Sequence, residues 1–85
     1  MVPKKDVSRS VSLEVVRLLR KERIRRELSL NQLAEKAGLS RSMVSYVERG
    51  MRNPTLQTLL RIANALNVDL SKLIKRASNA SDAKC

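Results

Sequence analysis

Residues 29–50 have the sequence SLNQLAEKAGLSRSMVSYVERG, which contains two short helical patterns separated by a glycine. The first pattern follows Ser29 and Gln32, which have the spacing of a capping box. Gly38 stands where a left-handed residue would end that helix, and Ser40 is placed to cap the next one. The stretch therefore predicts two short helices joined by a very tight turn. Such a turn makes the helices cross steeply, so that the second projects from the body of the domain.

The second predicted helix, over about 41–49, has two chemically different sides when its residues are placed at 100° intervals. One side carries Arg41, Ser42, Ser45, Tyr46 and Arg49, and the other carries Met43, Val44 and Val47. Arginine bonds guanine O6 and N7 together, serine allows close approach, and tyrosine reaches phosphate or a thymine methyl group. The pattern predicts that the valines anchor this helix while its polar side faces a DNA major groove. Any helix with one side exposed to solvent also has a polar side, so the pattern alone does not establish DNA binding. The net charge and the neighbouring motifs have to distinguish the two interpretations.

The composition indicates a single small all-α domain that binds a polyanion. The chain has 85 residues, 42% of them hydrophobic, with one aromatic residue and only two glycines and two prolines. Leucine and alanine favour helices, so we expect a compact bundle with short connections. The formal net charge of +10 predicts nucleic acid as the partner, with an anionic membrane as the second possibility.

The residues that are missing exclude several kinds of chemistry. The chain has no histidine, and its one cysteine is Cys85. Histidine-assisted nucleophiles, imidazole metal sites and an internal disulfide are therefore impossible. The sequence has neither a membrane-spanning run nor a signal peptide. We expect a cytoplasmic protein that is not an enzyme and has no cofactor, metal site or small-molecule ligand.

The remaining segments predict three further helices and two tails. The first helix should begin near Ser10 or Ser12 and run to about Arg26 or Glu27. Thr55 should cap the fourth helix and Asp69 the fifth. The fourth helix has an apolar stripe made of Leu56, Leu59, Leu60, Ala63 and Leu66. We divide the chain into a flexible basic arm over 1–11, a helix-turn-helix domain over 12–77, and a disordered polar tail over 78–85.

The stretch SLNQLAEKAGLSRSMVSYVERGMRNPTLQTLLRIANAL resembles the Cro/CI-type, Xre-like helix-turn-helix family. The resemblance covers about residues 19–75 and depends on four motifs in order. They are LA-x-x-x-G-L-S at Leu33 to Ser40, V-x-x-V-E-R-G at Val44 to Gly50, N-P at Asn53-Pro54, and L-L-x-I-A-x-A-L at Leu59 to Leu66. The resemblance implies a five-helix, lambda-repressor-like domain that binds operator DNA as a dimer.

The resemblance also assigns roles to individual residues. It implies base contacts by Arg41, Ser42 and Tyr46, with Ser45 nearby. The DNA backbone contacts that we expect are made by Asn31, Gln32, Ser40, Met43, Arg49, Arg52 and Asn53. An arginine of the first helix, here Arg23, often pairs with the glutamate at Glu48, and we interpret that pair as structural.

Two positions depart from the family pattern. Many members have a phosphate-contacting glutamine at the start of the second helix, where this chain has Leu30, so Asn31 or Gln32 is expected to replace that contact. Many members also have glycine where this chain has Glu27. A glutamate in a left-handed conformation costs about 1 kcal/mol, so we expect the first helix to end differently here.

The function that these features favour is transcriptional regulation by occupancy of a palindromic operator. A homodimer is expected, with part of the fifth helix (Leu70, Leu73 and Ile74) as its contact. The alternative is an antitoxin-type interaction module that also binds its own promoter, although 78–85 is short and polar for wrapping a toxin. A basic membrane-binding protein is a third possibility, but the apolar stripes lack tryptophan and phenylalanine anchors.

Overall fold

The computed structural model describes residues 7–51 and 53–83, which form five helices and no strand. The helices are α1 (Val7–Arg25), α2 (Leu30–Ala37), α3 (Arg41–Glu48), α4 (Leu56–Ala65) and α5 (Leu70–Ala83). The all-α fold class expected from composition is therefore confirmed. α2 packs against both α3 and α4, and α5 packs mainly against α1.

The tight turn between α2 and α3 has the local structure that its sequence predicts. The Ser29 hydroxyl accepts a hydrogen bond from the Gln32 amide, while the Gln32 side chain accepts one from the Ser29 amide. Gly38 ends α2 with a φ of 70°, a conformation that glycine adopts without steric cost. Ser40 then caps α3. Only two residues therefore separate the αL residue from the first residue of the next helix, which fixes the steep crossing of α2 and α3.

The core is made of aliphatic side chains contributed by all five helices. The largest side chains that are almost completely buried are Val15, Leu33, Val44, Val47 and Leu66. The described part of the chain contains no buried polar or charged residue. α3 is thus held by apolar contacts on its inner side, which leaves its polar side available for a partner.

Two helix boundaries differ from the sequence-based expectation. α1 begins at Val7 rather than at Ser10 or Ser12, and α5 continues to Ala83. Residues 7–11 and 78–83 are therefore helical, where we expected a flexible arm and a frayed tail. Val11 packs against the core, so a tertiary contact supports a helix that begins earlier than Ser12. The rest of both tails lies outside the described residues.

The end of α1 also differs from the expectation. Glu27 adopts a φ of 58°, so α1 ends in the left-handed conformation despite the glutamate side chain. The backbone amide of Leu28 bonds the Arg23 carbonyl, and that of Glu27 bonds the Ile24 carbonyl. These bonds satisfy carbonyl groups at the helix terminus. The chain thus reverses through a left-handed residue after α1, and it carries the conformational cost of a non-glycine residue there.

Replacing Glu27 with glycine should stabilise the fold by about 0.5–1 kcal/mol, because glycine lacks the Cβ that makes this conformation unfavourable. Urea unfolding followed by circular dichroism measures the change. Glu27→Gln is the matched control, since it removes the charge but keeps the Cβ. Asn67, which has the same φ of 58°, should gain less on substitution by glycine because asparagine tolerates the left-handed region better. Equal stabilities of the glycine and glutamine variants at position 27 would contradict this account.

Candidate nucleic-acid interface

α3 has an inner apolar side and an outer polar side, as the helical wheel predicts. Val44 and Val47 are 0% and 1% exposed. Arg41 and Ser42 are exposed at the start of the helix, and Tyr46 is exposed one turn further on. The eight residues of α3 rise about 12 Å along the helix axis. A helix with its side chains is about 10–12 Å across, which fits the roughly 12 Å width of the DNA major groove.

The base-contacting candidates form one continuous flank of α3. Ser45 is half-buried between the outer and inner sides, one turn after Arg41. Arg41 and Arg49 make no ion pair within the described residues, so their charges are not neutralised inside the domain. The structure thus brings Arg41, Ser42, Ser45 and Tyr46 together on a flank whose arginines can bond an external partner.

The candidates for phosphate contacts are distributed over three neighbouring segments. Asn31 and Gln32 are exposed in the first turn of α2, while Arg49 and Asn53 are exposed after α3. The Oε1 atom of Gln32 accepts a hydrogen bond from the Ser29 amide in the capping box, which leaves the NH₂ group of Gln32 able to donate to phosphate. Arg52 lies outside the described residues. Leu30, at the start of α2, lines one depression together with Ser45 and Arg49, so the candidates on α2 and those after α3 lie on the same side of the domain.

Ser40 and Met43 are less suited to the phosphate contacts that we expected. The Met43 backbone amide already donates to the Ser40 hydroxyl oxygen at 3.0 Å, and the Met43 side chain packs against the core. Met43 is left without a donor for phosphate, which argues against its assigned contact. Ser40 keeps its hydroxyl proton and is exposed, so its contact stays a prediction.

A charged pair links α1 to the end of α3. Arg23 donates from Nε to Glu48 Oε2 at 2.7 Å and from Nη2 to Glu48 Oε1 at 3.0 Å. A third bond runs from Arg23 Nη1 to the Leu28 carbonyl at 2.6 Å. The two side chains are only 13% and 8% exposed, so their geometry is held by the surrounding protein. The structure therefore contains the pair that the family resemblance implies, and adds the bond to Leu28.

A shallow depression lies beside this pair and is open to the polar flank of α3. Its lining residues are Arg20, Arg23, Leu30, Ser45, Glu48 and Arg49. Arg20 contacts Glu48 only at 3.6 Å and remains 58% exposed. Three guanidinium groups thus surround one carboxylate, so the depression carries a net positive charge next to the polar flank of α3. This clustering could not be read from the sequence, because Arg20 and Glu48 are 28 positions apart.

The structure changes the assignment of the apolar residues that we expected at a dimer contact. Leu70 and Leu73 are 5% and 8% exposed, whereas Ile74 is 37% exposed. The side chains of Leu70 and Leu73 therefore complete the monomer core and cannot form a free apolar face. The predicted contact on α5 is wrong for these two leucines because α5 turns them towards α1, and only Ile74 is left for it.

No helix in the described ranges is long and apolar enough to cross a lipid bilayer. The same part of the chain contains no group of three or more acidic, cysteine or histidine residues that could hold a metal ion.

The Arg23–Glu48 pair generates a stability prediction. Glu48→Gln should lower the free energy of unfolding by about 2 kcal/mol, since it leaves a nearly buried guanidinium without its counter-charge. Arg23→Met should cost more, because it also removes the bond to the Leu28 carbonyl. Urea unfolding of both variants and of the double variant gives the coupling energy. A coupling near zero would show that the pair does not link α1 to α3.

Glu22→Gln is the matched control, because Glu22 pairs with the more exposed Arg25 and Arg26. The pKa of Glu22 is lowered to about 2, first by the hydrogen bond from Arg25 and then by that from Arg26. Its stabilising contribution is therefore fully present at neutral pH and is lost as the pH falls below its ordinary pKa of 4.5. Exposed pairs contribute little, so this substitution should change stability by less than about 1 kcal/mol.

Comparisons with known proteins agree with this geometry. The family model HTH_3, described as helix-turn-helix, matches residues 19–73. The immunity repressor protein of Bacillus phage phi105 is 44% identical over 59 residues, which are 69% of this chain and 39% of that protein. Control protein C.SmaI of Serratia marcescens is 51% identical over 49 residues, which are 58% of each chain. This chain thus spans between about two fifths and three fifths of these relatives' length.

A solved structure has the same arrangement of helices. The restriction-modification controller protein C.AhdI from Aeromonas hydrophila aligns with a TM-score of 0.67 and 39% sequence identity. The alignment covers 72% of this chain and 92% of the controller protein. The family model covers more than half of the chain, and its match includes α2, the tight turn and α3. The chain therefore belongs to the helix-turn-helix family.

Proposed function

We propose that this protein is a sequence-specific DNA-binding transcriptional regulator. The observation that carries the proposal is the division of α3, whose valines are buried while its arginine, serine and tyrosine side chains face outward. Family membership supports it, as do the relatives named as a phage immunity repressor and a restriction-modification control protein. The net charge of +10 favours a polyanionic target.

In this proposal α3 enters the major groove with its N-terminal residues leading. Arg41 bonds the O6 and N7 atoms of a guanine, which discriminates that base from the other three. Ser42 and Ser45 allow close approach and add short hydrogen bonds. Tyr46 reaches a phosphate or a thymine methyl group at the middle of the helix. Sequence is thus read from one flank, while the valines on the opposite side anchor the helix in the core.

Phosphate contacts around α3 fix the position of the helix on the duplex. Arg49 and Asn53 follow α3, and Asn31 and Gln32 stand at the start of α2. Because the apolar side chain of Leu30 cannot donate a hydrogen bond, the amide groups of the next two residues make the phosphate contact in this proposal. These contacts carry no sequence information, but they give most of the salt-dependent affinity.

The proposed regulator acts as a homodimer on a palindromic operator. Two α3 helices related by a two-fold axis read half-sites about 34–36 Å apart, in successive major grooves. Regulation then follows from occupancy, by blocking or contacting the polymerase. We propose no enzymatic step and no cofactor for this regulator. The proposed location is the cytoplasm, where the DNA target lies.

Replacing Arg41 with alanine should weaken operator binding by about 1–3 kcal/mol and relax specificity at one base pair in each half-site. The operator is first selected from a randomised duplex library with the parent protein. Fluorescence anisotropy then measures both proteins on every single-base variant of that site. An unchanged specificity profile in Arg41→Ala would show that α3 does not read bases through this residue.

Replacing Arg49 with alanine should weaken binding to all sequences to a similar degree, because a phosphate contact does not discriminate between bases. The slope of log affinity against log salt concentration should fall by about one unit per protomer. Lys75→Ala is the control, since it removes the same charge from α5, which is outside the proposed interface. Equal salt slopes for the two variants would contradict the assignment of Arg49.

A further inference from the structure

A second depression lies between α1 and α5 and has a volume of about 150 Å³. Its floor is apolar and its rim is cationic. The residues are Leu18, Val68 and Leu73 for the floor, and Lys21, Arg25 and Arg76 for the rim. The three cations are exposed, whereas the two leucines are each only 8% exposed. This surface, called here the α1–α5 depression, contains none of the candidates for DNA contact.

The α1–α5 depression is on the opposite side of α1 from the depression beside α3. Leu18, Lys21 and Arg25 share one side of α1, because they are spaced by three and four positions. Arg20 and Arg23 line the depression beside α3. At 100° per residue, the two groups are centred roughly 160° apart around the axis of α1. A partner in the α1–α5 depression therefore leaves α3 free to bind DNA.

The α1–α5 depression keeps a positive charge of its own. Glu22 also lines it, and this carboxylate is paired with Arg25 at 2.5 Å and with Arg26 at 2.7 Å. Lys21 and Arg76 make no ion pair in the part of the chain that the structure describes. The lining thus contains three cations and one carboxylate, which leaves two positive charges for a ligand.

The size and the apolar floor of the α1–α5 depression select the kind of ligand. Pockets for drug-sized molecules have about 300–1,000 Å³, whereas an apolar cavity of about 150 Å³ holds a single benzene molecule. The α1–α5 depression thus fits one leucine or phenylalanine side chain. No aromatic residue lines it on which a nucleic-acid base could stack. Its concave floor also offers no protruding apolar anchor for a membrane.

We propose that the α1–α5 depression docks an acidic segment of a partner protein, with one leucine or phenylalanine between aspartates or glutamates. The apolar side chain of that segment contacts the floor. The flanking carboxylates form charge-assisted hydrogen bonds with Lys21 and Arg76 at the rim. The proposal goes beyond DNA binding, because it names a protein partner that the domain can hold while α3 is in the major groove.

The 85 residues of this sequence do not supply the docked segment. Such a segment needs at least two acidic residues close to one apolar residue. The eight acidic residues of the sequence are at least five positions apart. Glu22 and Glu27 are the nearest two, and three arginines lie between them. A second copy of these residues therefore lacks the complementary charge, which favours a different protein as the partner.

The contact is small, so docking is weak and sensitive to salt. One apolar anchor and a few rim charges bury much less than the roughly 1,200 Å² below which interfaces are weak and transient. The rim cations are exposed, so dissolved ions screen their attraction for carboxylates. A brief contact of this kind suits a partner that meets the protein only while both are held near the same DNA.

The test uses a synthetic peptide that has one leucine flanked by two aspartates on each side. Titration of the ¹⁵N-labelled protein with this peptide, followed by NMR, measures both affinity and location. Two control peptides replace either the leucine by serine or the four aspartates by asparagine. Arg76→Glu is compared with Lys75→Glu, which has the same net charge but changes a residue outside the depression. Circular dichroism establishes that both variants are folded.

The acidic leucine peptide should shift the amide signals of residues 18–25 and 68–76 and leave those of α3 unchanged. Arg76→Glu should weaken binding at least tenfold, and Lys75→Glu should weaken it less than threefold. Both control peptides should bind at least fivefold more weakly. Saturation of the protein with its operator duplex should change the peptide affinity less than threefold, because the duplex lies on the other side of α1.

Four results would overturn the proposal. Equal weakening by Arg76→Glu and Lys75→Glu would show that only the net charge attracts the peptide, and full binding of the serine peptide would exclude an apolar anchor. Displacement of the peptide by duplex DNA would make the depression part of the nucleic-acid interface. Displacement by phosphatidylserine vesicles would assign it to a membrane. Failure of the proposed function has a different signature, namely no sequence selected from the DNA library, and it leaves the peptide titration unaffected.

Discussion

The burial of Val44 and Val47 is the interaction on which the rest of this molecule depends. α3 has only eight residues, and an isolated helix of that length is unstable in water. It exists because both valines are inserted among core side chains of neighbouring helices. The same insertion determines which side of α3 faces outward. The same contacts thus stabilise α3 and determine which of its sides faces outward. A substitution that loosens these valines would therefore also change the orientation of the polar side.

The charged pair between α1 and α3 adds a fixed orientation to the apolar contacts that hold α3. A valine in a core tolerates small rotations of its helix. An arginine and a carboxylate that are joined by two hydrogen bonds have a fixed relative geometry. Arg23 holds Glu48 at the end of α3 and also bonds the carbonyl of Leu28 after α1. The pair therefore limits rotation of α3 about its own axis. Such limits matter for a helix whose single flank carries all the base-reading candidates.

Some arginine charges near α3 are not neutralised within the described residues. Arg41 and Arg49 make no ion pair within the described residues, and Arg20 touches Glu48 only at its edge. A protein of this net charge would gain little from additional internal pairs at its surface. Arg41 and Arg49 instead concentrate positive charge on the side of the domain where α3 is exposed.

The sequence by itself determined the fold class, the two short helices, the caps at Ser29, Ser40 and Thr55, and the division of α3 into two sides. These features depend on local chemistry: a hydroxyl oxygen meets an amide three residues later, and a buried face repeats every three or four residues. The tertiary structure decided what local chemistry does not contain. Glu27 takes a left-handed conformation because the chain must reverse there. α1 begins before the serines predicted to cap it because Val11 packs against the core. Periodicity showed that Leu60 and Leu73 each belong to an apolar stripe, but only the packing of neighbouring helices left one exposed and covered the other.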